Sequence, residues 1–185
     1  MESTIQGRVY KFGDNVNSDI IIPGRYLIYI DRERLAQHAF EVLGEGFPAK
    51  LREFQILVAG RNFGCGSARE QAATAIQGLG IQAVIACSFA RTFYRNAIND
   101  GLPIFECPEL YPDVQEGDSL RIDLAASKIH LRDKEYAFPQ LPDSVKQSAP
   151  MCRMARSSSP PDGRPDMMTL ASSTKATTLR TRPAS

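Results

Sequence analysis

The chain has 185 residues, 43% of them hydrophobic and 23% charged, with a formal net charge of +1. That balance suits one globular domain with a real core, and near-neutrality without a basic stripe argues against nucleic-acid binding. No run approaches the roughly 18 apolar residues of a membrane span and the N-terminus has no signal-peptide core, so the expected compartment is the cytoplasm.

In chain order, Ile5–Phe12 predicts a strand, GDNVNSD (Gly13–Asp19) a polar loop, and Ile20–Gly24 a short apolar run closed by a turn. Asp31 is placed to cap a helix running to about Leu43, with Leu35, Ala39, Val42 and Leu43 on one face. Ile56–Ala59 is a buried strand, Ala68–Leu79 a helix stopped by Gly80, and Gln82–Phe89 a second buried strand. Arg91–Asp100 is a helix stopped by Gly101, and Leu102–Cys107 a third strand. Such alternation predicts an α/β fold with a parallel core sheet. Beyond Glu116 the short runs SLRIDL, KIHL and EYAF alternate and predict additional antiparallel strands.

The character of the chain changes near Val145. Residues 1–145 hold 15 Lys and Arg against 19 Asp and Glu, whereas residues 146–185 hold 7 against 2. Those last 40 residues contain 17 Ser, Thr or Pro and no aromatic residue, too little apolar surface to offset ordering entropy. The expected division is a domain over 1–145 and a disordered basic tail over 146–185. The tail fits either a genuine extension or a stretch translated in a shifted frame.

The segment GRNFGCGSARE (Gly60–Glu70) sits between the strand Ile56–Ala59 and the helix that follows. Ser67 with Glu70 three residues later has the spacing of a capping box. The same turn offers helix-start amides, and Arg69 offers a planar donor fork suited to a carboxylate. It also follows the carboxyl end of a parallel strand, where open α/β sheets bind ligands. The glycines do not form G-x-G-x-x-G and no Walker lysine follows, so residue types alone leave a plain turn and an anion site both open. Four scattered cysteines (Cys65, Cys87, Cys107, Cys152) and two isolated histidines (His38, His130) predict no metal site in this chain.

Read together, GDNVNSDIIIPGRYL (Gly13–Leu27), NFGCGSARE (Asn62–Glu70) and ACSFARTFYRNAINDGLPIF (Ala86–Phe105) resemble the small subunit of 3-isopropylmalate dehydratase, the stand-alone swivel domain of the aconitase superfamily. The resemblance covers about residues 5–145. It implies a swivelling three-layer β/β/α domain, a large-subunit partner carrying a [4Fe-4S] cluster, and a small hydroxy diacid as substrate. It also implies that Ser67 is the catalytic base, acting as an alkoxide, with Arg69, Asp19 and Gly66 among the substrate contacts. Homoaconitase-type relatives carry an arginine after Tyr-Leu, whereas this chain has Ile28, a side chain suited to packing on an isopropyl or methyl group rather than gripping a carboxylate. Asp19 also has the simpler reading of a turn-stabilising residue, and Ile28 that of a core residue. Family members commonly read Ser-Ser-Arg-Glu-His where this chain has Ala68 and Gln71. A homoaconitase-like or methylmalate-type subunit, and a non-catalytic assembly chain of the same fold, stand as the alternatives.

Overall fold

The computed structural model describes residues 4–67 and 69–139. The expected domain limit near Val145 and the basic tail lie outside the described residues. Seven strands form one sheet in the order β4-β3-β2-β1-β5-β6-β7. They are β1 (Thr4–Lys11), β2 (Ile56–Ala59), β3 (Ala83–Ala86), β4 (Ile104–Glu106), β5 (Ser119–Asp123), β6 (Lys128–Leu131) and β7 (Lys134–Ala137). The helices are α1 (Ser18–Ile21), α2 (Arg32–His38), α3 (Phe47–Leu51), α4 (Gln71–Gly78) and α5 (Arg91–Asn99). Short 3-10 turns span Gly24–Tyr26 and Glu41–Leu43.

Strand β1 belongs to two ladders at once. Its last residues pair in parallel with β2 (Tyr10 with Leu57), and its first residues pair antiparallel with β5 (Gly7 with Leu120). The parallel half continues through Leu57 with Val84 and Val84 with Ile104. The antiparallel half continues through Ile122 with Ile129 and Ile129 with Tyr136.

Successive side chains of a strand point to opposite faces, and here both faces are buried. Leu57, Ala59, Val84, Ala86 and Ile104 pack on one side with helix residues Leu35, Ala72, Ile76, Phe93 and Ala97. Ile56, Val58, Ala83, Ile85 and Phe105 pack on the other with Leu110, Val114, Leu120, Ile122 and Ile129. The antiparallel strands thus supply the third layer, which explains why β2 and β3 read as unbroken apolar runs rather than alternating ones. Where α4 crosses α2, a side chain at Gly78 would run into the Arg32 carbonyl and the Ala36 methyl, so the helices meet almost backbone to backbone.

Every expected strand is present, while the helical stretches differ in four places, three of them ahead of β2 and the fourth at the start of α4, which opens at Gln71 rather than Ala68. The helix from Asp31 was expected to reach Leu43 but ends at His38. Phe40 takes a left-handed conformation (φ 59°), is completely buried, and stacks on Phe12 with ring centroids 4.9 Å apart. Burying that ring outweighs another helical turn, and Val42 and Leu43 are left exposed. The apolar run after Asp19 opens as α1, capped by the Asn17 side chain. Helix α3, unanticipated in the sequence, begins after Gly46 (φ 81°) with a proline in its first turn.

Leu57 is fully buried at the centre of the helix-side core. Leu57→Ala is expected to lower unfolding free energy by about 2–5 kcal/mol, read from urea denaturation. A loss below the noise of that measurement would mean this face is not the principal core.

Candidate functional site

Strands β1, β2 and β3 run parallel, so their carboxyl ends share one edge, and three loops leave from it. The loop after β2 is held on both flanks. Toward residues 13–18, Gly60 N–H donates to Gly13 O (3.0 Å), Asn15 N–H to Arg61 O (2.8 Å), Gly64 N–H to Val16 O (2.8 Å) and Ser18 N–H to Cys65 O (2.7 Å). Toward the segment after β3, Phe63 N–H donates to Ser88 O (3.0 Å) and Ala90 N–H to Phe63 O (2.9 Å). The Ser88 hydroxyl accepts from Asn62 N–H at 3.0 Å. Segments far apart in the sequence therefore form a single edge.

Two of the loop glycines are required by this packing. Gly64 (φ 76°) lies against the Phe93 ring and Gly66 (φ 92°) against the Asn17 side-chain oxygen, and at either position a Cβ would collide. Asn15 (φ 56°) and Asn62 (φ 61°) also adopt left-handed backbone, and their side chains hydrogen-bond to each other at 2.9 Å. Strained, mutually supporting residues of this kind gather at functional loops.

Just beyond the loop the chain delivers its candidate residues. Ser67 is exposed. Arg69 is only 14% exposed, its Nη1 donating to Ile22 O at 2.8 Å and its Nη2 paired with the carboxylate of Asp19, which is 52% exposed. Arg69 and Asp19 are thus brought together, and Ser67 stands two residues before the guanidinium.

The expected capping box does not form. Helix α4 starts at Gln71 with Glu70 as its cap residue in helical conformation and no side-chain cap bond. Ser67 stands three residues ahead of that cap residue, and its carbonyl is held by the Ser18 hydroxyl at 2.7 Å. Its hydroxyl is left outside the helix hydrogen bonding.

Ile28 is 77% exposed, which removes the reading of it as a core residue. The segment around it is tied down from below. Tyr26 stacks on His38 with centroids 3.8 Å apart, His38 Nδ1 lies 2.8 Å from Glu41 Oε2, and Arg25 pairs with Glu41. Burial acts to raise the Glu41 pKa, but hydrogen bonds from His38, Tyr26 and Arg25 outweigh it and hold the carboxyl below its usual value. Leu27 O also receives a long contact, 3.5 Å, from Gln71 Nε2 at the start of α4. Gln71, a departure from the family pattern, thereby joins the site edge to the Ile28 segment.

Cys65 is half-buried in the loop, Cys87 follows β3, and Cys107 is buried after β4. Among the described residues no group of three or more His, Cys, Asp or Glu is arranged to hold a metal ion. No helix among them is long and apolar enough to cross a membrane. Asn17 and Ser18 were missed as site residues in the sequence. Only their nearness to the glycine loop reveals them, and no local pattern carries that information.

A family described as the aconitase C-terminal domain matches residues 11–109. The 3-isopropylmalate dehydratase small subunit of Thermodesulfovibrio yellowstonii is 48% identical over 145 residues, 77% of this chain and 86% of that one. The isopropylmalate/citramalate isomerase small subunit of Methanocaldococcus jannaschii is 51% identical over 129 residues, 70% of this chain and 77% of that one. A crystal structure of 3-isopropylmalate dehydratase (leuD) from the same organism aligns with a TM-score of 0.69 at 46% identity, covering 75% of this chain and 83% of that one. Fold and site edge together define an aconitase-type swivel domain. Within that class, the chain belongs to the family of 3-isopropylmalate dehydratase small subunits.

Gly66→Ala is expected to cost at least about 1–2 kcal/mol through the left-handed backbone alone, with the collision at Asn17 added. It should appear as a melting temperature lower by several degrees. An unchanged melting temperature would mean that the loop does not depend on this conformation.

Proposed function

We propose that this chain is the small subunit of a hydro-lyase that interconverts 2-isopropylmalate and 3-isopropylmalate by dehydration and rehydration, as a step of leucine biosynthesis and in complex with a large subunit. The observation that carries the proposal is the shared edge: three separated loops leave Ser67 exposed next to a pre-oriented Arg69–Asp19 pair, in a chain 48% identical to a named small subunit of that enzyme.

The difficult step for side chains alone is removal of a weakly acidic proton next to a carboxylate. Ser67 is assigned that proton, acting as a base in its alkoxide form. An alkoxide needs preorganised donors. The guanidinium of Arg69, two residues on and held by Asp19, is assigned to supply the fixed positive charge. Arg69 has five N–H donors, of which those to Ile22 O and Asp19 hold its orientation and the others remain for a substrate carboxylate. Asp19 accordingly holds the fork in place. Gly66 is assigned a substrate contact through its backbone alone, since the space where a side chain would stand is filled by Asn17.

Ile28 is assigned to the apolar group of the substrate. An exposed isoleucine gains by covering an isopropyl or methyl group and has nothing to offer a third carboxylate. The isopropylmalate/citramalate isomerase relative carries in its name two substrates of this kind, which makes a substrate panel worth running.

The [4Fe-4S] cluster that the family implies is assigned to the large subunit. The described cysteines of this chain are dispersed and do not fit it. The complex is placed in the cytoplasm.

Ser67→Ala, mixed with the large subunit, is expected to lose about 10²–10⁴-fold in kcat while the complex still elutes as one species. Turnover is followed by the absorbance of the alkene intermediate. Near-normal turnover would remove Ser67 from the base role. Ile28→Arg is expected to move the ratio of kcat/KM values toward substrates with a third carboxylate, and an unmoved ratio would mean that another segment sets specificity.

A further inference from the structure

Ser18 is one of two polar side chains that are buried among the described residues, at 1% exposure. A buried hydroxyl needs a partner, and its partner here is the Ser67 carbonyl, to which Ser18 Oγ donates at 2.7 Å. The Asn17 side-chain oxygen lies farther off, at 3.4 Å, and accepts instead from Asp19 N–H at 2.8 Å. A hydroxyl carries one proton, so the shorter contact defines the bond. The neighbouring residues act in register. Asn17 forms a parallel bridge with Cys65 and fills the space beside the bare Gly66, Ser18 N–H holds Cys65 O and its hydroxyl holds Ser67 O, and Asp19 pairs with Arg69. Three consecutive residues thus grip the loop, Ser67 and Arg69 in turn.

We infer that Ser18 is a positioning residue for Ser67, fixing the main chain of the base while leaving its side chain facing outward. The inference rests on the assignment of Ser67 as the base. Ser18 is buried beneath the loop and acts on the reaction only through Ser67. Without its hydroxyl the Ser67 carbonyl loses its partner, and the loop relaxes on the side where the proton is taken. Rate is sensitive to displacements of about 1 Å in the reacting groups, at roughly 10²-fold. Arg69, held by Asp19 and Ile22 O, keeps its place.

The test is a mutant cycle in the assembled two-subunit enzyme, comparing Ser18→Ala, Ser18→Thr, Ser67→Ala and the Ser18→Ala/Ser67→Ala double variant. Ser18→Ala is expected to lower kcat by roughly 10–10²-fold, with KM moving less than about threefold because Arg69 is undisturbed. Ser18→Thr, which keeps the hydroxyl, should recover most of the rate. In the Ser67→Ala background, removing the Ser18 hydroxyl should cost almost nothing further. A wild-type kcat in Ser18→Ala, with Ser67→Ala inactive, overturns the inference and leaves the base assignment standing. Equal losses from Ser18→Ala with and without Ser67 overturn it as well, since Ser18 then acts by another route. Full turnover in Ser67→Ala overturns the base assignment itself, and the positioning role with it. Should Ser18→Thr fail to fold because its extra methyl finds no room, Ser18→Cys supplies a near-isosteric weak donor for the same comparison.

Discussion

Four backbone hydrogen bonds between residues 13–18 and 60–65 carry the functional end of this molecule. They extend the pairing of β1 and β2 beyond the regular strands, at the point where both chains would otherwise separate into solvent. Because backbone groups make these bonds, the order of side chains along the two loops is set as in a ladder. Residue 64 faces residue 16, and residue 65 faces residues 17 and 18. The bare Cα of Gly66 and the carbonyl of Ser67 then meet Asn17 and Ser18 without further adjustment. A one-residue slip would put Asn17 into a position where a side chain already stands.

That ladder is only as firm as the sheet beneath it. The parallel strands are packed on both faces, by helices on one side and by the curled antiparallel strands on the other. Close-packed interiors give way little, so the loops start from fixed points. Lys11 reinforces the join between the two halves, its ammonium donating to Tyr111 O at 2.9 Å and Val114 O at 2.8 Å. The Tyr111 hydroxyl in turn donates to Phe12 O at 3.1 Å. Strand β1 is thereby tied to the segment that leads from the parallel into the antiparallel strands.

Charge follows the same economy of motion. The guanidinium of Arg69 is largely buried, and it is tolerable there because a carbonyl and a carboxylate already satisfy part of it. Its orientation is settled before any ligand arrives, which lowers the ordering cost of binding. The apolar residues Ile28 and Ile30 stand in water on a segment whose base is locked by the Tyr26–His38 stack and the Arg25–Glu41–His38 pairs. Apolar surface held in this way loses little entropy when it is covered.

All the strands were legible in the sequence, because apolar runs and period-two alternation are local signals. So were α5 and the glycine loop, and the motifs Gly13–Leu27, Asn62–Glu70 and Ala86–Phe105 indicated the family and its chemistry. The sequence did not place the helix boundaries around Phe40 and Ser67. Phe40 breaks a good helical pattern because Phe12 and Phe47 offer its ring a better site, and those partners are distant in the chain. Ser67 and Glu70 have capping-box spacing, yet the helix begins only at Gln71 without a side-chain cap, and the Ser67 carbonyl is held by distant Ser18 instead. Ile28 reads equally well as core or surface until burial is known. Residue type and spacing therefore determined the elements, the family and the candidate residues. Which of those residues share an edge, and which hydroxyl holds which carbonyl, was decided by tertiary structure, since contacts across some 49 residues of chain leave no periodic trace in the sequence.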